Sequence, residues 1–133
     1  MYRILFVFIL FAYNIYATDL LNIKKYSLKK DETKKILVKY SSSQKVFEFR
    51  WTLYKNDGLV VLSSYDNFPS QHMLYLNHLN QTIRIFLKPK GAYEFNVPYM
   101  LLKFDDFDFA NQKAKFSLWL FDVKQEIYIK YLN

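Results

Sequence analysis

The chain has 133 residues, no cysteine, an aromatic content of 20% and a net charge of +7. A chain of that length holds one domain, and the missing cysteine excludes disulfide staples, thiol catalysis and a cysteine-linked lipid anchor. The positive balance favours anionic partners. Beyond Arg3, however, only Arg50 and Arg84 carry guanidinium forks, so nucleic acid is not an expected partner.

The chain opens with Arg3 and an apolar run from Ile4 to Tyr13. The run is about ten residues, the length of a signal-peptide core and well short of the roughly 20 needed to span a bilayer as a helix. Ala17 supplies the small residue a signal peptidase needs, although Ile15 departs from the small-x-small ideal. Residues 1–17 are therefore expected to be a signal peptide cut after Ala17. The alternatives are a buried first strand or an uncleaved anchor. No later stretch reaches membrane-spanning length. Export without disulfides points to a periplasmic protein more than to a eukaryotic extracellular one.

Residues 18–34 form a leading segment or linker. Their lysines spread around a helix without making a cationic face, so an amphipathic membrane helix is not expected. From residue 35 the pattern has period two. Lys35–Tyr40 is a strand ending at Ser41-Ser42-Ser43. Between Val46 and Tyr54, Phe47, Phe49, Trp51 and Leu53 are expected on one face and Glu48, Arg50 and Thr52 on the other. Asn56-Asp57-Gly58 suits a tight hairpin, and Leu59–Tyr65 returns as the partner.

Gln71–Asn77 is a further short strand candidate. Thr82–Lys88 alternates and is closed by Pro89-Lys90-Gly91. Val97–Phe104 is extended, with Pro98 suiting an edge or a strand start. Ala114–Phe121 and Glu126–Leu132, joined by Asp122–Gln125, are expected to pair as a second hairpin. Seven or eight strands with short connections and no intervening helix predict an all-β antiparallel sandwich of the immunoglobulin-like kind over residues 35–133. A small up-and-down barrel is the alternative.

Motifs for chemistry are weak. His72 and His78 would stand about 20 Å apart on a continuous strand, too far to share a metal. Asp105, Asp106 and Asp108 cluster oxygen ligands, but the central glycine of a calcium loop is absent. Phe107 and Phe109 alternating with Asp106 and Asp108 suggest instead an edge strand guarded by charge. The chain has no Gly-x-Ser-x-Gly elbow and no phosphate-cradling glycine loop. No catalytic residue, metal or cofactor is expected.

The aromatic load is the unusual feature. On Ala114–Phe121, Phe116, Leu118 and Leu120 share one face. Trp119 and Phe121 share the other with Lys113 and Lys115. Rings beside lysines give large contact area at low entropic cost, so these four residues are the expected binding surface. The chain then reads as a non-enzymatic binding module. Its partner would be an envelope protein or an anionic ligand, met through this aromatic–lysine surface or through an edge strand. Alternatives are a carrier with an aromatic-lined cavity and, further off, a metal-dependent enzyme.

Overall fold

The computed structural model describes residues 20–87, 97–122 and 126–132. The leader, the Pro89-Lys90-Gly91 stop and the 123–125 turn lie outside them. Nine strands are described: β1 (Leu20–Lys29), β2 (Lys34–Tyr40), β3 (Ser43–Lys55), β4 (Gly58–Tyr65), β5 (Phe68–Tyr75), β6 (Thr82–Phe86), β7 (Tyr99–Asp108), β8 (Lys113–Phe121) and β9 (Ile127–Leu132). They form two antiparallel sheets, β1-β8-β7-β6 and β5-β4-β3-β2-β9, with no helix among the described residues. The chain is thus all-β with two sheets rather than one closed barrel. No described helix is long and apolar enough to cross a membrane.

Period-two alternation sorts the side chains of each strand onto two faces, and the inner faces meet in an aromatic core. Phe49 on β3 packs edge-to-face on Tyr26 of β1 and on Phe116 of β8, with centroids 5.5 and 5.4 Å apart. Trp51 meets Phe107 of β7 at 5.5 Å. Its indole Nε1 donates to the backbone carbonyl of Leu28 at 2.8 Å, tying β3 to β1 across the sandwich. That carbonyl sits at a buried point of an edge strand, and the indole satisfies it.

Turn chemistry sets the registers. Asn56 and Asp57 both take positive φ between β3 and β4, as a type I′ hairpin demands. Asp66 and Asn67 repeat the device between β4 and β5. Between β7 and β8, the Asp108 carboxylate accepts from the backbone and side-chain nitrogens of Asn111. These bonds hold its carboxyl below the usual carboxylate range.

Two strands break their own alternation, and the first break corrects the expected placing of Leu53. In β3 the pairing shifts between Trp51 and Leu53, leaving Thr52 as the extra residue of a bulge. Leu53 therefore turns outward and is 49% exposed, while Tyr54 turns in and stacks on Phe107 at 4.1 Å. In β7 the shift falls between Phe104 and Asp106. Phe104 and Phe107 are both buried as a result, although three residues apart. β7 is an inner strand only over Tyr99–Lys103, where β6 pairs with it; its acidic end, Asp106–Asp108, is paired by β8 alone and so forms a local edge, as expected.

The second expected hairpin is also corrected. β8 pairs with β1 and β7, whereas β9 pairs with β2 in the opposite sheet. Short connections at this point join sheets rather than neighbours. As the outer strand of the five-stranded sheet, β9 packs Ile127 and Ile129 against the core.

Gly58 opens β4 directly opposite Tyr75 of β5. A methyl group there would stand 3.0 Å from Tyr75 Cε1 and 3.3 Å from Met73 Sδ. The Tyr75 ring covers the glycine, held by its hydroxyl against Met73 Sδ. Gly58→Ala is expected to push this ring aside and to lower stability by about 1 kcal/mol despite alanine's better backbone entropy. A urea denaturation curve checks this, and Tyr75→Ala in the same chain should remove the penalty.

Candidate interaction face

The outer face of the four-stranded sheet is ordered by the strand registers. Phe86, Tyr99 and Phe121 stand in one row across β6, β7 and β8. Arg84, Leu101 and Trp119 form the next. Thr82, Lys103, Ser117 and Lys25 form the third, reaching β1. Alternation would normally give this solvent-facing side to polar groups; here its first two rows are apolar apart from Arg84.

The first row is a ridge of rings. Phe121 stacks on Tyr99 with centroids 4.8 Å apart and planes 16° from parallel. Phe86 approaches Tyr99 from the other neighbouring strand at 6.0 Å and is 54% exposed. The Arg84 guanidinium lies 4.6 Å from the Tyr99 centroid, a cation–π contact that fixes its position without neutralising it. Trp119 and Phe121 are half-buried, Lys113 is half-buried and Lys115 is exposed.

Charge divides this face in two. Beyond the Asp105 bulge, Asp106 stands opposite Lys115 and Asp108 opposite Lys113. Cross-strand pairs of opposite charge stabilise a sheet and cancel each other's field. On the ridge side, Arg84 faces Leu101, and Lys103 faces Thr82 and Ser117. Lys25 also faces Ser117. None of these cross-strand neighbours is acidic. Between the two halves lies a groove of about 590 Å³ floored by Ser117 and Phe116 and flanked by Lys25, Lys115 and Trp119. Its one carboxylate, Asp105, accepts a hydrogen bond from the buried Ser117 hydroxyl.

Of the four residues expected to form the surface, the structure therefore sets Trp119 and Phe121 with the ridge. Lys113 and Lys115 stand at the other end of β8, opposite acids. Arg84, Phe86, Tyr99 and Leu101 were missed. Their signal was the parity of β6 and β7: with Ile83 and Ile85 inside, Arg84 and Phe86 must be outside, and with Met100, Leu102 and Phe104 inside, so must Tyr99, Leu101 and Lys103.

A second cleft, of about 510 Å³, opens at the side of the sandwich between the edge strands β5 and β6. Ser63, Ser70 and His72 form a hydrogen-bonded chain along it, with Oγ–Oγ and Oγ–Nε2 separations of 3.0 Å. Lys45 pairs with Asp66 at its rim, 3.1 Å apart. Nearby, Tyr65 donates from its hydroxyl to the Leu87 carbonyl. Burial, reinforced by Asp66, pushes the Tyr65 phenol up to about 12.

Burial also holds the His72 imidazole below its ordinary 6.5. The unfolded chain then takes up this proton more readily than the folded one, so His72 lowers stability as the pH falls below 6.5. His72→Gln is expected to flatten the decline between about pH 7 and pH 5, read from denaturation midpoints. No group of three or more His, Asp or Glu side chains able to hold a metal occurs among the described residues.

Compared with protein-family models, curated proteins and solved structures, the chain matches none.

Proposed function

We propose that the chain is an exported, non-enzymatic β-sandwich of the immunoglobulin-like kind that binds an anionic partner at the cell envelope through the outer face of its four-stranded sheet. One observation carries the reading: a ridge of rings on a solvent-facing sheet side, flanked by cations whose cross-strand neighbours are uncharged. Cations beside apolar rings recognise a partner that is both negatively charged and able to bury apolar surface. The leader supports export, with its short apolar core and Ala17.

The test is capture from a native envelope fraction by the immobilised protein. Phe86→Ser combined with Arg84→Glu should reduce recovery of the captured partner at least tenfold, with an unchanged melting temperature, since both side chains are exposed. Leu53→Ser combined with Lys39→Glu, on the other sheet, should leave recovery intact. Equal loss in both variants would sink the assignment to this face.

The carrier reading has one observation in its favour, the side cleft between β5 and β6 with apolar walls at Phe47, Ile83 and Ile85. Its volume lies in the range of small-molecule sites. Absence of lipid from organic extracts of the purified protein would count against it.

A further inference from the structure

We infer that the ridge face docks on an anionic lipid bilayer, with Phe86 entering below the headgroups and Arg84, Lys103 and Lys25 meeting the phosphates. The inference rests on the reading of this face as the contact surface and names its partner.

Three features of the face favour a bilayer over a folded protein. First, its rings stand against one another: Phe121 covers one side of Tyr99, and Arg84 reaches it from the strand on the opposite side. A protein hot spot or a sugar needs an open ring face or a pocket, and the Tyr99 ring is already engaged by its own neighbours. Tyr and Trp side chains lying at the surface with one end apolar and one end polar are the side chains found at membrane interfaces.

Second, the exposed apolar group and the nearest cation are two residues apart on one edge strand, Arg84 and Phe86 on β6. Both project from the same face. One inserted side chain holds a protein to a membrane only weakly, and stable attachment takes a second, basic signal. The ridge supplies both within three cross-strand rows.

Third, the charges are complementary. The chain carries +7, and none of the ridge-side cations has an acid opposite it. Each basic group near an anionic surface strengthens binding several-fold. The acids of this face, Asp106 and Asp108, lie beyond the bulge opposite lysines, and Asp105 is engaged by Ser117.

The experiment is sedimentation of the protein with vesicles of phosphatidylcholine alone and of phosphatidylcholine with one-quarter phosphatidylglycerol, at low and at physiological salt. The protein should bind the anionic vesicles at least tenfold more tightly than the neutral ones. Arg84→Glu with Lys103→Glu should lower that binding at least tenfold. Lys39→Glu with Lys130→Glu makes the same net charge change on the five-stranded sheet and should lower it less than threefold. Trp51 is buried and Trp119 is not, so a blue shift of emission on adding anionic vesicles should persist in Trp51→Phe and vanish in Trp119→Phe.

Equal binding to both vesicle types, or equal loss in the two charge variants, overturns the lipid assignment. A heparin column then separates the two ideas. If Arg84→Glu with Lys103→Glu elutes earlier than Lys39→Glu with Lys130→Glu, the face still selects a soluble anion and only the bilayer falls. If the two variants elute together, the face reading falls with it.

Discussion

Trp51→Ala is expected to lower folding stability by about 3–5 kcal/mol, the range for emptying a large aromatic site in a core that collapses only partly. Trp51 is 3% exposed and reaches from the five-stranded sheet to two strands of the other, to β7 through Phe107 and to β1 through the Leu28 carbonyl. Trp51→Phe separates the two contributions. It keeps most of the ring volume but leaves the Leu28 carbonyl buried without its donor, which costs about 1–3 kcal/mol. Urea unfolding followed by circular dichroism reads both values. A Phe variant as damaging as the Ala variant would mean that the hydrogen bond, rather than packing, dominates at this site. A harmless Phe variant would mean that water reaches Leu28.

Phe107→Ala should cost about 3–5 kcal/mol as well, for a different reason. Phe107 is the ring at which both strand bulges converge. It stacks on Tyr54, meets Trp51 edge-on, and is met in turn by the exposed Phe109 at 5.1 Å. Tyr54 turns inward only because Thr52 is the extra residue in β3, and Phe107 only because β7 shifts register after Phe104. A double-mutant cycle with Tyr54→Ala should return a coupling of about 0.5–1.5 kcal/mol for the stacked pair. Coupling near zero would show that Tyr54 merely covers the ring. The same cycle run between Phe107 and Tyr99, on the opposite face of β7, should give none.

The candidate face shows how far alternation reaches. Trp119 and Phe121 could be set apart from Phe116, Leu118 and Leu120 by parity alone, because successive side chains on a strand must point to opposite sides. Parity turns their companions outward too, but it could not gather them beside these two. Phe86, Tyr99 and Phe121 are scattered over 36 positions of chain, and only the β6-β7-β8 order makes them one row. Lys113 and Lys115 looked equivalent to any other lysine near a ring until the register put Asp108 and Asp106 opposite them.

Sequence by itself determined the all-β class, the tight hairpin at Asn56-Asp57-Gly58 and most strand positions. These are local matters: period-two hydrophobicity and residues that tolerate positive φ act within a few positions of the chain. Tertiary structure alone decided the rest. A bulge is a mismatch between two strands, so Leu53 and Tyr54 could not be sorted without knowing what β4 does beside them. Sheet membership is a choice of partner at long range, which is why β9 joins β2 rather than its neighbour β8. The residues 18–34 are the same case: their lysines recur every five residues, a spacing that fits no single helix face and left a linker or a leading strand open, and Leu20–Lys29 becomes an edge strand because β8 offers it a free row of backbone groups and the core offers Tyr26 and Leu28 a place to be buried.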